Sequence, residues 1–173
     1  MAGTQAGEGG GDAARTPEAQ QRPKIERPRD ELGQPLPAGS ANRLELPDFD
    51  ALSLDQNHAL AIEFFDAGNY FGAHEAWETC WQQARGTDDE EFFKGLSQLG
   101  AGYTHYRRGN AHGAQTLLGR ALSRIGLRGS PHHGIDVDTL ASAVAPHAAA
   151  FARAEQSGGP PPEVTPPWIL RAK

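Results

Sequence analysis

One short pattern, Gly-Asn-x-x-Gly-Ala, occurs twice in this chain, at Gly68 to Ala73 and again 41 residues later at Gly109 to Ala114. Glycine ends helices because it takes the left-handed backbone conformation without a Cβ penalty, and asparagine caps the helix that follows. Each copy therefore predicts a tight turn between two helices. The small Gly72 and Ala73, or Gly113 and Ala114, would let the second helix of each pair approach its partner closely. In the same alignment Trp77 falls on Leu118 and Trp81 on Leu122, so the apolar faces correspond as well. The arrangement predicted is two stacked helical hairpins, the logic of tetratricopeptide-type repeats with fewer than the usual three copies.

The remaining punctuation extends this to about five helices. Ser53 with Gln56 reads as a capping box, and Leu60, Ile62, Phe64 and Phe65 follow before Gly68. Thr87 with Glu90 reads as another, opening a helix with four acids in its first turn and Arg107-Arg108-Gly109 at its end, the charge order that a helix dipole favours. Asn110 caps a fourth helix through Leu117, Leu118, Ala121, Leu122 and Ile125. A Gly/His/Pro loop follows, and Asp136 or Asp138 starts a fifth helix, expected to kink or break at Pro146. No segment carries the alternation of a strand. The expectation is an all-α domain over residues 44–156.

The ends read differently. Residues 1–43 are rich in Gly, Pro, Gln and charge, and cannot bury enough apolar surface to offset the entropy of ordering, so a disordered arm is expected there. Residues 157–173 form a Pro-rich tail closing in Trp168-Ile169-Leu170, an apolar clasp able to dock on the domain. The N-terminal stretch lacks the apolar core of a signal peptide, and no run approaches the ~18 apolar residues of a membrane span, which points to a cytoplasmic protein. A single cysteine, Cys80, precludes an internal disulfide and reads as a small buried hydrophobe.

Charge is segregated. Residues 44–91 hold twelve acids against Arg85 alone, whereas residues 92–135 hold six bases and no acid. The two halves can complement one another, or Arg107, Arg108, Arg120, Arg124 and Arg128 can receive an anionic ligand. With a net charge of −6 and no aromatics interleaved with those arginines, nucleic acid is not expected as a partner.

The candidate chemistry lies on the second and third helices. In His74-Glu75-Ala76-Trp77-Glu78, His74 and Glu78 sit about 6 Å apart along one face, and could give a nitrogen and an oxygen to one divalent metal. The segment resembles the zincin helix His-Glu-x-x-His with its second His replaced by Glu. Glu75, about 100° round the helix, is expected to be more exposed. The third helix has an apolar face of Phe92, Leu96, Leu99, Tyr103 and Tyr106, and an opposite face of small residues bearing Gln98 and His105. Such a helix is packed on both sides, and buried polar groups need partners. His74, Glu78, Gln98 and His105 are accordingly expected to form a polar cluster between the two helices. It would be a structural network, a pocket for a small polar ligand, or a metal site using His74, Glu78 and His105. The second copy has Gln115, Thr116 and Gly119 where the first has His74, Glu75 and Glu78, so the hairpin itself does not require those residues. His132 and His133 are expected to be solvated, and His58, His112 and His147 have no evident partner. Phe64, Phe65, Tyr70, Trp77 and Trp81 are expected in the core. Nucleophile-elbow, Walker and dinucleotide motifs are absent.

These residues together resemble the bacterial domain of unknown function numbered 309. The features carrying the resemblance are the turn Gly68 to Phe71, the His74-Glu75-Ala76-Trp77-Glu78 helix with Trp81, Gly95-Leu96-Ser97-Gln98, His105, and Gly109-Asn110 with Gly113-Ala114. The match covers about Leu60 to Ile125. Ser97 departs from it, standing where an aliphatic residue is usual, and would loosen packing while leaving Gln98 in place. The resemblance implies a compact cytoplasmic helical array without an established activity; some members carry a metal-dependent-hydrolase label. Two functions follow as expectations: a module binding a protein or small polar ligand, and a small hydrolase in which His74, Glu78 and His105 hold a divalent metal and Glu75 activates water. Oligomeric state is left open.

Overall fold

The computed structural model describes residues 28–31 and 33–169. After a single 3₁₀ turn at Phe49–Ala51 come five α-helices: α1 Leu54–Asp66, α2 Tyr70–Gln83, α3 Glu90–Arg107, α4 Ala111–Ile125 and α5 Val137–Ser157. Among the described residues there is no strand, only two isolated bridges, and no helix is long and apolar enough to cross a membrane. The all-α expectation holds. Each helix packs mainly on its neighbour in chain order, with α3 in the middle against both α2 and α4.

The two turns of the repeated pattern are built alike. Gly68 and Gly109 have φ of 81° and 69°. At the first, the Asn69 amide donates to Phe64 O at 2.8 Å and the Gly68 amide to Phe65 O at 3.0 Å. At the second, Asn110 donates to His105 O and Gly109 to Tyr106 O, both at 2.9 Å. This paired closure satisfies helix-end carbonyls, and needs the left-handed residue that glycine supplies. Asn69 Oδ1 then accepts from the Gly72 amide at 2.9 Å, and Asn110 Oδ1 from the Gly113 amide at 2.8 Å. A Cβ on Gly72 would meet the Asn69 side chain, and one on Gly113 would meet His105 and Asn110. Gly72 thus makes room for its capping side chain rather than for a partner helix, whereas Gly113 makes room both for its cap and, as expected, for α3 at His105. Close helix approach is served also by glycines of α3: Gly100 lies against the α2 backbone at His74, and Gly95 and Gly102 against α4 at Ile125 and Leu118.

The core fills the seams on both sides of α3. Phe92, Phe93, Leu96, Leu99 and Tyr103 of α3 are fully buried with Phe65, Trp77, Cys80, Leu118 and Phe151. The aligned pairs Ala73 and Ala114, Trp77 and Leu118, and Cys80 and Ala121 are buried in both copies. Of the aromatics expected in the core, Phe64 and Trp81 are only partly buried. The Trp81 ring instead carries Lys94 Nζ 4.8 Å from its centroid, a cation–π contact. Burial pushes the Cys80 thiol up to about 12, so it is an inert packing group.

Two details of the helix ends differ from expectation. Thr87 does not cap α3: Asp89 is the N-cap residue, its carboxylate caps nothing on the helix, and Glu90 Oε2 accepts from the Gly86 amide. In addition, α5 is not broken at Pro146 but runs on as one helix. Proline removes a single N–H from the ladder, and buried Leu140 and Val144 before it and Phe151 after it anchor both halves to the core.

The segments outside the helices touch the domain. Of the expected disordered arm, residues 1–27 lie outside the described residues. Gly33 is buried against the Phe71 ring, and its carbonyl accepts from Arg29 and Arg108, both at 2.7 Å. In the tail, Tyr106 Oη donates to Val164 O at 3.0 Å, and the Ile169 amide donates to Asp66 at 2.8 Å. Ile169 is buried and Trp168 exposed, while Leu170 lies outside the described residues.

Candidate functional site

Asn69 starts α2 so that Ala73, Ala76, Trp77 and Cys80 face the core, and this leaves His74, Glu75 and Glu78 along the rim of the helix. Their side chains are 24%, 36% and 40% exposed. His74 Nε2 stands 3.4 Å from Glu78 Oε2 and 3.7 Å from Glu75 Oε1. One donor atom from each of the three lies within 4.8 Å of the others. Glu75 is more exposed than His74, as expected, and still joins the group.

The other imidazole nitrogen fixes the chemistry. His74 Nδ1 is 3.1 Å from Ser97 O and 2.9 Å from Ser97 Oγ. A carbonyl only accepts, so Nδ1 carries the hydrogen and donates. Nε2, the nitrogen left over, faces the two carboxylates. Ser97, the departure from the family pattern, is buried, and both its carbonyl and its hydroxyl meet the ring.

The third helix contributes to this group one position away from where expected. Gln98 turns to α4, where its Oε1 accepts from Arg124 Nε at 3.0 Å. His105 Nδ1 accepts from Asn110 Nδ2 at 2.9 Å. Neither joins His74 and Glu78, because one residue along a helix rotates a side chain by about 100° and Ser97, not Gln98, faces α2. Burial first, then the charges of Arg108 and His74, hold the His105 pKa below its usual range.

Two arginines of the basic segment, Arg108 and Arg124, are held in contacts within the domain. Arg124 also pairs with Glu91, and Arg108 holds Gly33. Arg120 and Arg124 line an open groove of about 570 Å³ on the outer face of α4. A second groove of about 310 Å³ borders the His74 group, lined by Asp48, Asp50, Glu75, Glu78, Thr79 and Gln82.

The remaining histidines all have partners. His58 Nδ1 accepts from Trp77 Nε1 at 3.1 Å, so its Nε2 carries hydrogen and donates to His133 O at 3.0 Å. His112 meets Glu155, and His147 Nδ1 meets the Tyr103 hydroxyl at 2.8 Å. Burial depresses the His147 pKa. His132 and His133, expected in solvent, converge on Asp89: His132 Nε2 is 2.7 Å from Oδ1 and His133 Nε2 2.8 Å from Oδ2. These bonds, His133's first, keep the Asp89 carboxyl below the usual carboxylate range. The adjacent His-His pair was a visible signal. Its partner, more than 40 residues away on another element, was not.

Residues 59–117, about a third of the chain, match the model of a family described as a domain of unknown function, DUF309. That segment includes both repeated turns and the His74 group, and the resemblance read from the sequence is borne out across it. No curated protein matches the chain.

Proposed function

Taking residues 59–117 as a DUF309 segment, we propose that this chain is a helical binding module whose ligand is a divalent cation held by His74, Glu75 and Glu78. The carrying observation is the direction of the His74 ring. With Nδ1 donating to Ser97, Nε2 faces two carboxylate oxygens at 3.4 and 3.7 Å. In the neutral ring three electron-rich atoms point at one another and repel, and a cation among them, in place of a proton on Nε2, turns that repulsion into binding. One nitrogen and two carboxylate oxygens suit a borderline ion such as zinc or manganese. Ser97 acts as the outer partner that fixes the ring's tautomer and orientation. Asp48 and Asp50 across the adjoining groove add negative potential that gathers cations.

The groove is also what favours the second reading, a small metal-dependent hydrolase, because it gives a substrate room beside the ion. Glu75, the candidate base, stands among the donors, so water activation would fall to a carboxylate that the ion leaves free. His105 and Gln98 have no part in either reading.

The test is the zinc, iron and manganese content of tag-free protein beside a His74→Ala variant. The parent is expected to hold one equivalent more than the variant. If the two contents are equal after incubation with excess metal and dialysis, the cation reading fails, and His74 with Glu78 is a structural pair.

A further inference from the structure

The Asp89, His132 and His133 group stands apart from the α2 site and draws on two separate elements, the start of α3 and the loop between α4 and α5. We propose that Asp89, His132 and His133 form a second metal site, for a divalent transition ion of the zinc type.

The geometry carries the proposal. Both Nε2 atoms already point at one carboxylate, at 2.7 and 2.8 Å, and a ligand atom from each residue lies within 4.8 Å of the others. Neighbouring residues in an extended chain point to opposite sides, and here they do not. His133 has φ of 45°, in the left-handed region that a non-glycine residue rarely adopts, and the turn around it brings both rings to the same point. The observed backbone outlier thus serves convergence, the direction in which strain is read toward function. Asp89 shows the same diversion. As the N-cap residue of α3 it would ordinarily accept from an amide of its own helix, yet its side chain makes no such bond and is given to the imidazoles.

The group is also held rigidly. The His132 ring sits edge-on to Phe92 with centroids 4.6 Å apart, and His133 lies 4.8 Å from Phe93 and stacks on Phe92. Both phenylalanines are fully buried. From the core, Trp77 donates to His58 and His58 to the carbonyl of His133 itself, a buried tether that fixes the loop at the ligand residue. Supported rings on anchored backbone are what a metal site requires. The side chains are 26% to 32% exposed, so an ion reaches them from solvent.

Two imidazole nitrogens and one carboxylate leave a position open on a four-coordinate ion. On binding, the ion takes the place of the two Nε2 hydrogens, each neutral ring carrying its hydrogen on Nδ1 instead. A single carboxylate is too few oxygen donors for calcium or magnesium, so selectivity for cobalt or zinc over magnesium follows.

Cobalt(II) titration of the full chain, read by visible absorbance and bound equivalents, tests the site independently of the one on α2. In a His74→Ala background one equivalent is expected to bind, with millimolar magnesium failing to compete. Adding His133→Asn, which tolerates positive φ but removes the imidazole, is expected to weaken binding at least tenfold, as is adding Asp89→Asn. Circular dichroism confirms that each variant keeps its helices, and His132→Gln provides a third substitution should either variant unfold. One equivalent in the parent that survives His74→Ala but not His133→Asn supports this site and rejects the one on α2. Absence of uptake in the His74→Ala protein, uptake indifferent to substitutions at Asp89, His132 and His133, or displacement by magnesium would overturn the proposal.

Discussion

The hairpins α1–α2 and α3–α4 share their turn chemistry and differ in nearly everything else. Both turns close with the same pair of hydrogen bonds, a left-handed glycine and an asparagine cap. Beyond the turn, the first hairpin buries Trp77 where the second buries Leu118, and it carries His74, Glu75 and Glu78 where the second carries Gln115, Thr116 and Gly119. What is common is architecture, since each copy needs it to reverse the chain. The rim residues His74, Glu75 and Glu78, unique to one copy, are not demanded by the hairpin itself. The same reasoning isolates Ser97, which α3 presents to His74 and which has no counterpart role at the α4 side.

The largest test of this comparison is to truncate the aligned core residues. Trp77→Ala is expected to cost about 4 kcal/mol and Leu118→Ala about 3, the usual range for emptying a fully buried site of each size. Trp77 adds a second loss, because His58 Nδ1 is then left without its donor. Urea unfolding monitored by helicity measures both. A Leu118→Ala protein less stable than Trp77→Ala would mean that the second hairpin, not the first, anchors the core.

Next in size are the shared turn residues. Replacing Gly68 or Gly109 by Ala forces a Cβ into the left-handed region, at about 1 kcal/mol each. Neither position meets a neighbouring atom, so the backbone is the whole cause and the two effects are expected to match. Thermal unfolding of the two single variants checks the equality. A difference of more than about 1 kcal/mol would show that the copies are not equivalent in load, only in form.

How far the sequence revealed all this follows from the range of each signal. The turns were legible because glycine and asparagine act on backbone within four residues of themselves. The shared rim of His74 and Glu78 was legible because residues four apart on a helix are neighbours whatever else the chain does. The choice between Ser97 and Gln98 was not, since it depends on the rotation of α3 against α2, and that is set by close contact of Gly100 with the α2 backbone. Thr87 read as a cap by pattern, but the structure gives the N-cap position to Asp89 and the Asp89 carboxylate to a loop more than 40 residues on. No periodicity records a contact between a helix start and a loop.

The smallest expected effect comes from a titratable group found at the second turn and not at the first, His105. His105 occupies the position that Phe64 holds in the first copy, and its carbonyl closes the turn just as that of Phe64 does. Its Nδ1 accepts from Asn110, and burial, Arg108 and His74 all disfavour the charged ring, so its folded pKa is depressed. A depressed histidine binds fewer protons folded than unfolded just below the unfolded value of about 6.5. Stability is therefore full above that pH and declines as pH falls from it toward the folded pKa. Protonation would also set an N–H against the Asn110 amide, which loosens the cap of α4. His147, depressed by burial, adds to the same slope. Melting temperatures at pH 7.5 and 5.5 are expected to fall with acid in the parent and to fall less in His105→Phe, which copies the first turn into the second. Equal slopes in the two proteins would place the acid sensitivity at His147 and make the turns alike in this respect too.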